Sequence, residues 1–479
     1  MCRYNTEVTN EDYANGVKDE YGCIYSQDGK RLLSMDKEHT YDTIEVKDGV
    51  EIVCDFAFYN ITSLQEVILP NSVVAIGKFA FLSCGSLKSI YLSDSLKEIG
   101  EAAFVGCTSL ETLDMPQSLV SICYRVFDGC SLLKKIELPE SVSYIDTKPF
   151  VKGMELKSRS KRFVVEDGLL IDRENKTLIQ ALNDTDTVVV PEGVEVINDM
   201  AFGDYRALSN TMFMLKLLRK VVLPKSLKEI KRFAFEGCVN LENIALPEGL
   251  TAIRKEAFLG CDRLKRITLP SSLTEIGGNV FPFGIEIQSL ADKYVVEDGL
   301  LIDVETETVV QCICDTEEIK IPDYIIKIAD SAFRDSKNLR KIVMPASLKE
   351  VGRRAFSSCR RLKEVVWNDS LEIIGAGAFN FCIELGEVVL PQSVKHIGNS
   401  AFSHDIALCN IVLPSSLQTI GEYAFGFSRL ETIVLPSSLQ TIGENAFKRC
   451  RLGTVVLPSS IEYVGMCAFD NNVEVISNR

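Results

Sequence analysis

A 23-residue pattern, A-F-x-x-C-x-x-L-x-x-I-x-L-P-x-S-L-x-x-I-G, recurs along this chain and limits its fold more than any other feature. Its Phe can be followed through Phe58, Phe81, Phe104, Phe127 and Phe150, then Phe202, Phe235, Phe258 and Phe281. It returns at Phe333, Phe356, Phe379, Phe402, Phe425, Phe447 and Phe469, which makes sixteen copies. A unit this short cannot bury its apolar side alone, so it must stack on its neighbours as a solenoid. Stacking accounts for most of the apolar residues, and what is left for function is a long surface.

Within a unit, L-x-x-I-x-L alternates as a short strand does, and Pro ends it because Pro has no N–H for a ladder. S-L-x-x-I reads as a second extended segment, and A-F-x-x-C as one helical or 3₁₀ turn. Eight cysteines, Cys84, Cys107, Cys130, Cys238, Cys261, Cys359, Cys382 and Cys450, lie three residues after the Phe. They are expected in one buried, reduced row, where a thiol acts as a small apolar residue. Sixteen cysteines in all, unpaired at this density, fit a reducing compartment.

Two gaps of 52 residues interrupt the rhythm, between Phe150 and Phe202 and between Phe281 and Phe333. Both gaps hold one module, VVEDGLLIDRENKTLIQ at 164–180 and VVEDGLLIDVETETVVQ at 295–311, which reads as a β-hairpin. YGCIYSQDGKRLLS at 21–34 is a third copy, with a turn at Asp28-Gly29. The expected organisation is one continuous array. Residues 1–20 form a polar cap or disordered segment, and 21–150 a hairpin with five repeats. Residues 151–281 form a hairpin with four repeats and a ten-residue insertion near 203–217. Residues 282–479 form a hairpin with seven repeats and the C-terminal end.

The unit, with two near-consensus copies in IVLPSSLQTIGEYAFGFSRLETIVLPSSLQTIGENAF at 411–447, resembles the BspA-like (Treponema-type) leucine-rich repeat from about residue 21 to 472. The resemblance implies a β-rich α/β solenoid: a right-handed leucine-rich repeat superhelix with a parallel concave sheet, short helical or 3₁₀ turns and inserted β-hairpins. Relatives of this kind are often surface proteins that bind host or matrix proteins. The resemblance therefore implies either a protein-interaction scaffold or a cell-surface adhesin.

Composition narrows the choice. An apolar share of 46% and a charged share of 25% are those of a folded protein. A net charge of −15 opposes general attraction to nucleic acid or anionic membrane. The first twenty residues lack a basic and apolar signal, and no run is long enough to span a bilayer. The expectation is a cytoplasmic chain, or a cell-surface one if exported by another route.

Little in the sequence points to catalysis. His39, His396 and His404 are its only histidines, and no nucleotide loop, serine elbow or H-E-x-x-H is present. Neither a catalytic residue, a metal nor a cofactor is expected. Cys312 and Cys314, two thiols on one strand face, are the rival candidate for a soft metal or a thiol-dependent enzyme. Asp172, Glu174, Asp303, Glu305 and Glu307 lack the spacing of a calcium loop.

Two surfaces compete as the binding site. Outward positions of the first strand carry Tyr91, Asp114, Glu137 and Thr268, then Val343, Val366, Val389, Val412, Val434 and Val456. This row is the expected partner-binding face, because contiguous exposed apolar residues mark docking surfaces. The second is a basic ridge of Arg219, Lys220, Lys265, Arg266, Arg340, Lys341, Arg360 and Arg361. The expected partner is a protein, or a second copy of the chain, rather than a small-molecule substrate. Nucleic acid is disfavoured because aromatic residues do not interleave with the basic ones.

Overall fold

A computed structural model describes residues 4–36, 41–203 and 217–477, which fall into two compact units, Met1–Leu250 and Thr251–Arg479. His39 and the ten-residue insertion near 203–217, of which 204–216 are concerned, lie outside the described residues.

Each unit is a stack of coils with three hydrogen-bonded sides. The second segments of the repeat form the longest parallel sheets. In the first unit Ile52–Val53, Ala75–Ile76, Glu98–Ile99, Ser121–Ile122 and Tyr144–Ile145 pair in turn within an eight-stranded sheet. In the second unit the corresponding sheet has ten strands, running without a break from Tyr294 to Val464. The first strands, by contrast, form ladders of only two or three, such as Glu318–Lys320, Lys341–Val343 and Glu364–Val366. Within a unit the ladder is thus continuous along the second segments and interrupted along the first.

The third side differs from the single helical turn expected of A-F-x-x-C. It is a run of tight turns with left-handed residues two before and two after the Phe, as at Phe79 (φ 55°) and Ser83 (φ 62°) around Phe81. Those reversals turn the amides along the stack axis. The N–H groups of Phe79, Phe81 and Ser83 donate to the carbonyls of Glu101, Ala103 and Val105 one coil on, at 2.9, 2.7 and 2.8 Å. Among the described residues the only α-helix is Asn10–Ala14, with a Thr9/Asp12 capping box.

The core is a set of columns. Phe333, Phe356, Phe379, Phe402, Phe425, Phe447 and Phe469 stack near-parallel with ring centroids 4.7–5.7 Å apart. Phe58 to Phe150 stack likewise in the first unit, 4.9–6.0 Å apart. The cysteine row runs beside them. Cys84, Cys107 and Cys130 donate to the carbonyls of Phe58, Phe81 and Phe104 at 2.9, 3.2 and 3.1 Å. The thiol therefore fills space and satisfies a buried acceptor as well. Glycines close the second-segment turn: a Cβ on Gly398 would lie 2.6 Å from Ala376 N of the preceding coil.

Each expected hairpin is present and carries one further strand. Phe163–Glu166, Leu169–Asp172 and Thr177–Ala181 form an antiparallel meander whose last strand joins Val196–Ile197 in parallel. Tyr294–Glu297, Leu300–Asp303 and Thr308–Cys312 repeat the arrangement and lead into Lys327–Ile328. Both turn on Asp-Gly pairs with positive φ, Asp167-Gly168 and Asp298-Gly299. A buried glutamine splices each meander to the coil before it. Gln180 accepts from Phe150 N at 3.2 Å and donates to Phe150 O at 2.7 Å; Gln311 does the same for Phe281 at 3.0 and 2.7 Å.

Candidate functional site

The outward row of the first strands is open to solvent. Val366, Val389, Val412, Val434 and Val456 are exposed, Val389 to 63% and Val434 to 83%, while Val343 is half-buried. Strand alternation explains this, since their neighbours Val388, Ile411, Ile433 and Val455 point into the core. The row lies on the side of the second unit where the ladder is interrupted. Asn410–Val412 and Thr454–Leu457 are strands, yet the residues between them in the stack, 431–435, form none. Two shallow grooves result. One, of about 400 Å³, is lined by Asn410, Val412, Thr432 and Val434; the other, of about 440 Å³, by Val434, Thr454, Val456 and Pro458. The repeat from Phe425 to Phe447 is one residue short, and the ladder opens at this point.

Tyr91, Asp114, Glu137 and Thr268 are exposed at the same repeat phase, without a comparable apolar row. Glu137 forms an ion pair with Arg159 at 2.7 Å, which lowers its carboxyl pKa.

The basic residues are also at the surface. Arg219, Lys220, Lys265, Arg266, Arg340, Arg360 and Arg361 are exposed and Lys341 is half-buried. Several meet acids or carbonyls already. Lys341 stands between Glu364 at 3.1 Å and Glu318 at 3.9 Å on adjacent strands, and Arg340 lies 3.4 Å from Glu317. Lys265 donates to Asp262 O at 2.8 Å, and Arg361 to Asn338 Oδ1 at 3.3 Å. Cross-strand alternation of charge makes much of this face a locally balanced surface.

Carboxylates of the meander turns serve the turns themselves. Arg162 holds Asp172 at 3.0 and 2.8 Å and Glu174 at 2.9 Å, and Asp303 accepts from the backbone of Glu305 and Thr306. Among the described residues no group of three or more His, Cys, Asp or Glu is placed to hold a metal ion.

One patch escaped the reading of the sequence. Phe381, His404 and Phe427 occupy the left-handed position two after the repeat Phe and stack at 4.5 Å each, with Arg449 over Phe427 at 5.4 Å. His404 Nδ1 pairs with Ser403 Oγ at 2.9 Å, and partial burial lowers its pKa. The same position holds Gly106, Gly129, Gly237 and Gly260 elsewhere, so bulky residues there were the available signal.

The profile for the BspA type leucine-rich repeat region, a unit of six copies, matches residues 37–157, 206–292, 310–404 and 352–476, well over half of the chain. The chain belongs to this family. BspA-type repeats thus account for the coil described above, and the family and fold are those of leucine-rich repeat scaffolds. A leucine-rich cell surface protein from Faecalibacterium prausnitzii is 20% identical over 90% of this chain and 92% of its own, with a TM-score of 0.35. A leucine-rich repeat protein from Bacteroides ovatus is 22% identical, covering 99% and 100%, at a TM-score of 0.34. One from Eubacterium ventriosum is 18% identical, covering 87% and 93%, at 0.43. Comparison with curated proteins gives no match. No helix among the described residues is long and apolar enough to cross a membrane.

Proposed function

We propose that this BspA-type repeat protein is a non-enzymatic scaffold that binds a protein partner through the valine row of its second unit. The observation that carries the reading is the run of exposed side chains from Val366 to Val456, with grooves of about 400 and 440 Å³ at Val412, Val434 and Val456. An aliphatic row beside an interrupted ladder offers what an extended peptide edge or an apolar helix face needs: shallow side-chain slots and desolvated area. The basic ridge is the weaker site, because Glu317, Glu318 and Glu364 already neutralise Arg340 and Lys341.

Affinity purification with the full chain and with its Val389→Lys/Val412→Lys variant, followed by mass spectrometry, tests this. The expected result is a protein enriched with the parent and lost with the folded variant. Equal capture by both removes the valine row from consideration. A steep loss of capture with added salt assigns binding to the ridge, and salt-insensitive capture assigns it to the valines. Labelling of intact cells with an impermeant reagent separates a cell-surface adhesin from an internal scaffold.

A further inference from the structure

The meander ending at Cys312 holds two thiols that its fold does not require. Cys312 is buried and Cys314 half-buried, with their Sγ atoms 3.6 Å apart. At the same positions the sister meander has Ala181 and Asn183 and keeps the same strand pairing. Gly299, in the left-handed turn opposite, leaves room for the outer thiol: a Cβ there would stand 2.6 Å from Cys314 Sγ. Thr316 Oγ1 at 3.6 Å and Asp298 O at 3.9 Å complete its surroundings.

We infer that Cys312 and Cys314 are a redox dithiol, with Cys314 as the attacking sulfur toward a low-molecular-weight disulfide and Cys312 as the resolving one. Hydrogen bonding from Cys312 is the main influence holding the Cys314 pKa down, to about 6, against its partial burial. The same bond, together with burial, raises that of Cys312. Stacked thiols behave oppositely: burial pushes Cys84 and Cys359 up to about 12, which leaves them unreactive at neutral pH.

The exchange balances in two displacements. The Cys314 thiolate attacks one sulfur of the small disulfide, forms a mixed disulfide and expels the first thiolate, which takes a proton. Cys312 then gives its proton to solvent and attacks Cys314 Sγ. The sulfurs close from 3.6 Å to the covalent distance of about 2.05 Å, and the second small thiol leaves. Two electrons pass from the protein to the disulfide, which becomes two thiols. The new bond would bracket Ile313, whose N–H donates to Gly299 O at 2.9 Å and whose carbonyl accepts from Gly284 N at 2.6 Å. Oxidation would thus act on the residue tying the meander turn to the coil before it.

Oxidised glutathione added to the full chain, followed by acid quench, alkylation and peptide mapping, tests the inference. Tryptic peptide 294–320 contains no other cysteine. The expected result is loss of two hydrogens from that peptide, with the stacked cysteines alkylated only after unfolding. Cys312→Ser should arrest at a glutathione adduct on Cys314, and Cys314→Ser should leave peptide 294–320 unmodified. Recovery of both thiols free in the parent, a parent adduct on Cys314 that never resolves, or faster modification of exposed Cys409 and Cys467 would each overturn it.

Discussion

At the scale of single residues, the cysteine row shows how a repeat position is chosen for two properties at once. A buried S–H fits beside the Phe column and donates to the carbonyl one coil back, so a plain hydrocarbon of equal size would leave that acceptor unpaired. Asp405 tests the point, because it occupies the cysteine position of its own repeat. It is fully buried and accepts from Cys382 N at 2.8 Å, and its Oδ2 has no partner among the described residues. Burial raises its pKa well above 3.8, overriding that hydrogen bond, so the folded protein favours the neutral acid. A carboxyl with a raised folded pKa gives its full contribution below the unfolded value and loses it as pH climbs through the folded one. Urea midpoints should therefore fall from about pH 4 upward. Asp405→Cys should flatten that slope and raise stability at neutral pH by about 1–3 kcal/mol. The repeat marks the position in the sequence; the cost of a carboxylate there appears only with the burial.

Among the elements, the meanders were legible as hairpins from aliphatic runs around a polar turn, with Asp28-Gly29 the turn signal in the N-terminal copy. The hairpin reading allowed two strands for each module, whereas the residues at 164–180 and 295–311 contain a second turn and so supply three. The A-F-x-x-C turn was misread for a physical reason: a spacing of three between buried Phe and Cys suits a helix and a folded-back turn equally. Left-handed residues on both sides of the Phe decide for the turn. Glycines separate close packing from mere flexibility. Gly398→Ala should destabilise by about 1–3 kcal/mol, since its Cβ meets backbone at 2.6 Å. Gly453→Ala, with nothing within 4 Å of its Cβ, should be neutral or stabilising by up to about 1 kcal/mol. Paired thermal melts of the two variants would check the contrast. Gln311→Met should cost about 1–3 kcal/mol for each of the Phe281 backbone groups it leaves unpaired, read as a lower denaturation midpoint.

For the molecule as a whole, sixteen copies of one pattern settled the family and the coil, because stacking uses the apolar code almost completely. Which side of the coil keeps an unbroken ladder was not legible. That depends on how closely successive coils approach on each side, and no single repeat encodes it. The valine row was legible as outward-facing; the missing strand at 431–435 was not, since first-strand ladders also break beside full-length repeats, as between Glu364–Val366 and Glu387–Val389. Coils that touch only their neighbours make cooperativity local. Phe379→Ala should cost about 3–5 kcal/mol and split the unfolding of the second unit into two phases, seen by hydrogen exchange on either side of the altered coil.

Gln180 and Gln311 perform one task at places 131 residues apart, each supplying through a side-chain amide the donor and acceptor that a following coil would otherwise provide. Such a joint tolerates interruption: a spiral can pause, admit foreign sequence, and start again without leaving a raw end. Lineages carrying this device would gain or shed whole blocks in a single recombination, so their lengths should differ by multiples of that segment more often than by isolated coils.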